Sequence, residues 1–244
     1  MKVYGITHRG AVRQENQDYF RTELSGDGEL LTAVLCDGMG GAQAGSVASS
    51  MAADTFMSHA AFSLDESSTA EDLHAILRES ADYANIKVYD RSFADFSCMG
   101  MGSTLVGLMA NGKRACVVNV GDSRAYLITK RHIEQITRDH SLVEDMVSRG
   151  KITREEAQNH PQKNIITRAV GVEASVSSDL FDVKFSSGSR ILLCSDGLSN
   201  LISAEELRMI CSNNDSVKAA CNAMLELALK RGAPDNVTVI LAER

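Results

Sequence analysis

"LLTAVLCDGMGG", residues 30–41, runs almost without a polar residue from Leu30 to Cys36, then reaches Asp37 and a set of glycines. Far along the chain "RILLCSDGLSN", residues 190–200, does nearly the same and ends on Asp196-Gly197. Short apolar runs bounded by turn residues read as buried strands. The pattern therefore places two inner strands in the fold, each delivering a carboxylate at its end.

Working outward, strand-like runs occur at 2–8, 19–24, 30–36, 103–110, 114–120, 124–129, 132–137, 175–183, 190–194 and 237–241. Asn111-Gly112 between two of them reads as a hairpin turn. Helical segments fall into two groups. One follows the first Asp-Gly, at 44–62 and 70–91, the latter capped by Thr69 with Asp72 in its first turn. The other follows the second Asp-Gly. There Ser203 and Glu206 have capping-box spacing, and a last helix capped by Asp215 or Ser216 runs to Arg231 and stops at Gly232. A further helical stretch at 142–159, its second half capped by Thr153 and Glu156, interrupts the strands as a surface excursion. Antiparallel strands with helices in two separate groups predict an α+β layered fold, helices outside and sheets inside.

Composition narrows the function. The 25 basic and 32 acidic residues give a net charge of −7, which disfavours nucleic acid and anionic membrane as partners. The six cysteines form no C-x-x-C pair and predict a reducing, cytoplasmic setting. The N-terminus lacks a signal-peptide core, and no 18-residue apolar run is present. Two motifs are decoys. Gly107-x-x-x-x-Gly112-Lys113 imitates a phosphate loop, but Arg114 stands where a hydroxyl must hold Mg²⁺; Gly38-x-Gly40 imitates a dinucleotide fingerprint, but position 43 is Gln.

The aspartates remain. Asp37 and Asp196 follow apolar strands, Asp122 follows "CVVNVG", and Asp235 precedes "NVTVIL". Any one of them alone is an ordinary turn former. Converging on one rim, they would repel one another unless a cation lay among them. An all-oxygen donor set suits Mg²⁺ or Mn²⁺, and the lack of HExxH or a cysteine set speaks against zinc. Spacing by itself does not establish that convergence.

"GAVRQENQD" (10–18), "CDGMGG" (36–41), "MGSTL" (101–105), "VNVGDSRAYL" (118–127), "TRDHS" (137–141), "LLCSDGL" (192–198) and "GAPDNVTVIL" (232–241) together resemble the metal-dependent PPM, or type 2C, protein serine/threonine phosphatases, in the compact bacterial form. The motifs keep the family's order and span essentially the whole chain. The resemblance implies a single domain over 1–244, built as a four-layer α-β-β-α sandwich with two central, mainly antiparallel sheets and a flap at about 141–165. It implies a dinuclear Mn²⁺ or Mg²⁺ centre in which Asp37 bridges both ions. Asp196 and Asp235 complete one ion's protein ligands, and Asp18 and the Gly38 carbonyl face the other. Asp122, with Asp196, matches a third, weaker metal site, and Arg13 matches the arginine that grips the substrate phosphate.

The implied chemistry is hydrolysis of phosphoserine and phosphothreonine by activated water attacking in line, without a phosphoenzyme, and Asp37, Arg13, Asp196 and Asp235 carry it. Asn236 is read as orienting a ligand or water. Met39 replaces a histidine that donates a proton in many eukaryotic relatives, so the general acid is unassigned; His140 and His160 read as structural. A catalytically silent phosphoprotein binder would show decayed ligands, and every expected one is present. Small phosphate esters or regulatory proteins are the alternative substrates. The expected partners are phosphoproteins and a cognate Ser/Thr kinase, the expected state a monomer, and the flap is the candidate for substrate choice.

Overall fold

The computed structural model describes residues 1–41, 44–61, 69–112 and 114–244. The stretch quoted first becomes β3 (Leu30–Met39), flanked antiparallel by β2 (Asp18–Leu24) and β5 (Leu105–Asn111). Its side chains alternate between two cores: Leu31, Ala33 and Leu35 face a second sheet, while Val34 and Cys36 face helices. Because both faces are buried, the strand shows no polar alternation.

The first sheet has the order β2-β3-β5-β6-β9, with β6 (Arg114–Val120), β9 (Asp179–Lys184) and a two-residue β4 (Gly102–Ser103) paired to the end of β3. The second has the order β1-β11-β10-β7-β8, from β1 (Lys2–His8), β11 (Val237–Glu243), β10 (Arg190–Cys194), β7 (Arg124–Ile128) and β8 (Ile133–Gln135). Every pairing between these strands is antiparallel.

Helices α1 (Ala44–Ala61) and α2 (Ala70–Ala94) cover the first sheet. The second is covered by α5 (Asp196–Ser199), α6 (Ala204–Asn213) and α7 (Val217–Lys230). Three apolar layers result, one between the sheets and one under each set of helices, so the four-layer α-β-β-α sandwich is the observed architecture. Ala44, Ala48, Ala52 and Ala60 line the buried stripe of α1, and their small side chains let it lie close over β3.

Caps at Thr69, Thr153 and Ser203 form as expected, and Ser216 rather than Asp215 caps α7. Several ends move by a few residues, β3 running on to Met39, α2 to Ala94 and β11 to Glu243, and four further differences have a local reason. The run at 103–110 breaks at Thr104, whose hydroxyl is used by Asp37. The 175–183 strand begins only at Asp179, because its partner β6 ends at Val120 and the chain turns at Gly121. The 142–159 helix splits into α3 (Leu142–Ser148) and α4 (Arg154–Gln158) around Gly150. At the hairpin Asn111 still belongs to the strand and pairs with Arg114, and Gly112 has φ 50°, a conformation that glycine adopts without a Cβ penalty. The helix end expected at Phe62 lies outside the described residues.

Candidate active site

Asp18 and Asp37 are direct cross-strand neighbours at the end of β2 and β3. Asp18 is buried at the seam between the sheets, and its Oδ2 accepts hydrogen bonds from Ser195 Oγ at 2.8 Å and Thr238 Oγ1 at 2.6 Å, both from the second sheet's side. With the Thr238 hydroxyl committed to Asp18, Thr7 donates to Thr238 (2.6 Å), and Asn16 Nδ2 donates to Thr7 (2.8 Å). Donors are thus aligned in a chain toward one carboxylate oxygen. The other oxygen, Asp18 Oδ1, is buried with no partner.

Asp37 is fixed through its backbone. Its N–H donates to Thr104 Oγ1 at 2.9 Å, and its carbonyl accepts from Thr104 N–H at 2.9 Å and Ser103 Oγ at 3.0 Å. That leaves the carboxylate free to face the cleft. Gly38 N–H donates to the Gln17 carbonyl at 3.1 Å, and a Cβ at Gly38 would overlap the Gly45 carbonyl oxygen. Glycine is therefore required for the 10–18 loop and the start of α1 to close around this strand end.

Asp196 opens α5. Its Oδ2 accepts from Asn200 Nδ2 at 3.1 Å, while Oδ1 is buried without a partner. Asp235 stands just before β11 and accepts from Arg13 Nη2 at 2.8 Å. Asp122 follows β6. A cavity of about 640 Å³ is lined by Arg13, Asp37, Gly38, Asp122, Asp196 and Asp235, with Asp18 buried behind it. All seven residues singled out in the sequence therefore meet at one edge of the sandwich.

The electrostatics are those of crowded anions. Burial first, then repulsion from Asp196 and Asp235 against two hydroxyl donors, pushes Asp18 up to about 7. Burial and Asp196 push Asp122 up to about 7. Asp37 lies well above the usual carboxylate range, through burial and then Asp18, and Asp196 is raised by burial and Asp235. Among the described residues Arg13 is the one side-chain cation paired with any of these aspartates; Arg124, close by, is spent on Asp139 at 2.6 Å. Two orphaned buried oxygens among mutually repelling carboxylates fit divalent cations, since unpaired buried charge otherwise costs several kcal/mol. Among the described residues no three of these carboxylates bring oxygens within 4.8 Å of one another, so the donors surround a space rather than close on a point.

Asn236 does not face the cavity as a ligand-orienting group alone. Its Oδ1 accepts from Gln17 N–H at 2.8 Å, and its Nδ2 donates to the Arg9 and Glu15 carbonyls at 2.9 Å each, which ties down the loop carrying Arg13 and Asp18. His140 is buried. Its Nδ1 accepts from Gly121 N–H at 3.1 Å and its Nε2 faces Asp179 at 3.3 Å, so it is a structural neutral imidazole, with its basicity lowered by burial. His160 caps the Gln162 N–H at 3.2 Å. Sequence reasoning missed Thr104, Ser195 and Thr238, hydroxyl residues whose partners lie far away in the chain, and Asn200, which bonds Asp196 one helical turn back.

The model of the family described as protein phosphatase 2C matches residues 5–241. The chain belongs to that family. Over 238 residues it is 37% identical to the serine/threonine phosphatase Stp of Listeria welshimeri, covering 98% of this chain and 94% of that one. It is 35% identical to the protein phosphatase PhpP of Streptococcus pneumoniae, covering 99% and 96%. The crystal structure of the serine/threonine phosphatase Stp1 from Staphylococcus aureus superposes with a TM-score of 0.92 at 36% identity, covering 100% of this chain and 94% of that one. This protein phosphatase 2C member is a serine/threonine protein phosphatase of the bacterial type, its substrates are phosphoproteins, and its family is metal-dependent. Among its described residues no helix is long and apolar enough to cross a membrane.

Proposed function

We propose that this phosphatase hydrolyses phosphoserine and phosphothreonine with a pair of Mn²⁺ or Mg²⁺ ions held by Asp18, Asp37, Asp196, Asp235 and the Gly38 carbonyl, with Asp122 and Asp196 offering a weaker third position. The observation that carries the reading is the pair of buried, partnerless oxygens, Asp18 Oδ1 and Asp196 Oδ1, inside a cluster of carboxylates. Oxygen-only donors favour these hard ions over zinc. Bound there, the ions supply activation of water near neutral pH and neutralisation of phosphoryl charge.

The chain's own residues do the rest. Arg13, half exposed at the cavity mouth, turns its guanidinium from Asp235 to two phosphate oxygens and holds the phosphorus for in-line attack. Ser195 and Thr238 favour the ionised form of Asp18 and aim it, and Thr104 keeps Asp37 at the strand end. Met39 lines the cavity and has no proton to give, and no histidine lines it among the described residues, so the leaving alcohol takes its proton from solvent in the open mouth. The excursion at about 141–165 borders this mouth through Asn164 and contributes to the choice of peptide. The protein works as a cytoplasmic monomer over a single domain, opposing a Ser/Thr kinase whose phosphorylated chain is among its substrates.

The test is hydrolysis of phosphoserine and phosphothreonine peptides by purified protein, with Mn²⁺, with Mg²⁺ and with chelator. Turnover that needs either ion, exceeds turnover of simple phosphate esters and disappears in Asp37→Asn is expected. Full turnover in chelator, or in Asp37→Asn with Mn²⁺, would refute the assignment.

A further inference from the structure

A second group of ligand-type side chains lies on the outer face of the first sheet, well away from the aspartates. His74 of α2 places Nε2 3.0 Å from Asp182 Oδ1, and Cys116 of β6 places Sγ 3.2 Å from the same oxygen. Cys116 and Asp182 are direct partners across β6 and β9. All three ligand atoms lie within 4.8 Å of one another. Cys116 lies four residues before Val120, where β6 ends and the chain turns toward Asp122, so the group sits about 13 Å down the strand from that end.

We propose that His74, Cys116 and Asp182 form a second cation site, selective for a borderline-soft ion of the Zn²⁺ class, that ties edge strand β9 and helix α2 to β6. The donors decide the ion: one imidazole nitrogen, one sulfur and one carboxylate oxygen match Zn²⁺ and fail Mg²⁺. Two X–H donors aim at one oxygen, Asp182 Oδ1, so a dication seated among the three displaces both hydrogens from directions already set. The Cys116 thiol proton leaves to solvent, and the imidazole proton passes from Nε2 to Nδ1, leaving Nε2 to ligate. Water completes a tetrahedral set. Glu71 and Arg114 flank the thiol with opposite charges. Asp182 is exposed and His74 partly so, which gives an ion a path to the buried sulfur. The ion's role is to staple an edge strand, which has neighbours on one side only.

Cobalt(II) titration of the whole protein in excess Mg²⁺ tests this, because a thiolate–cobalt charge-transfer band in the near ultraviolet cannot arise from all-oxygen ligands. The band is expected in wild type and in Asp37→Asn, absent in Cys116→Ser, and shifted to at least about tenfold higher cobalt in His74→Ala. Zn²⁺ at a hundredfold excess over its Kd should raise the thermal midpoint of wild type by about 5–10 °C and that of His74→Ala by about half as much or less. His74→Ala should keep wild-type phosphatase turnover with Mn²⁺, which separates this site from the catalytic reading. No band in wild type, or a band that persists at unchanged cobalt in His74→Ala, overturns the proposal. A band that survives in Cys116→Ser also does so, since it would come from another cysteine. Should Cys116→Ser fail to fold, His74→Ala decides.

Discussion

Asp18 concentrates the logic of the site in one side chain. One oxygen is satisfied by Ser195 and Thr238, and the other is buried and bare. In metal-free protein its proton affinity, raised from 3.8 to about 7, has a definite consequence for stability. A raised folded value means the folded state binds protons more tightly than the unfolded chain, so stability is greatest below about pH 4 for this group and is lost as pH climbs through about 7. Asp122 acts in the same direction. The thermal midpoint of chelated protein should therefore fall by this contribution between about pH 4 and about pH 7, the interval set by those carboxylates, and saturating Mn²⁺ should abolish the fall. Removing a supporting hydroxyl, as in Thr238→Val, should weaken Mn²⁺ binding by about 10–100-fold, read by titration of activity against the ion. Arg13→Ala should lower kcat/KM on a phosphopeptide by about 10²–10³-fold, with little change in thermal midpoint, because Arg13 is half exposed. Asp37 and Asp196 were legible in the sequence because Asp-Gly after an apolar run is a local pattern, whereas Asp18 came only from the resemblance. Ser195 and Thr238 were not legible, since a hydroxyl's value here depends on a carboxylate about 200 positions away.

Strands and helices explain how such distant residues come to be held still. Where a helix start had a local chemical signature, as at Thr69-Asp72 or Ser203-Glu206, its position could be read directly. Ends set by a neighbour could not: β9 starts at Asp179 because β6 has run out, a fact about pairing rather than about residues 175–178. Helix α1 approaches β3 on alanines, so Ala52→Leu should cost about 1–3 kcal/mol in denaturant unfolding through overpacking. The excursion carrying α3 and α4 buries none of its helical residues and closes at its neck through the Ser141–Ile166 bridge. Exchanging 142–165 for a relative's segment should leave the thermal midpoint nearly unchanged while altering the ranking of phosphopeptides. An unchanged ranking would remove this segment from substrate choice.

At the scale of the whole molecule, the sandwich is a device for bringing acidic strand ends from two sheets to one edge. Asp18 and Asp37 come from the first sheet, Asp196 and Asp235 flank strands of the second, and the apolar layer between the sheets holds them in register. Layering was legible from antiparallel runs and grouped helices. Strand order was not, because β1 lies beside β11 at the far end of the chain and β10 between β11 and β7, pairings with no local trace. The resemblance across seven motifs supplied what periodicity could not. The most direct measurement is a crystal grown with Mn²⁺ and recorded at the manganese absorption edge. Two anomalous peaks among Asp18, Asp37, Asp196 and Asp235 are predicted; empty density there, or manganese only elsewhere on the molecule, would contradict the account.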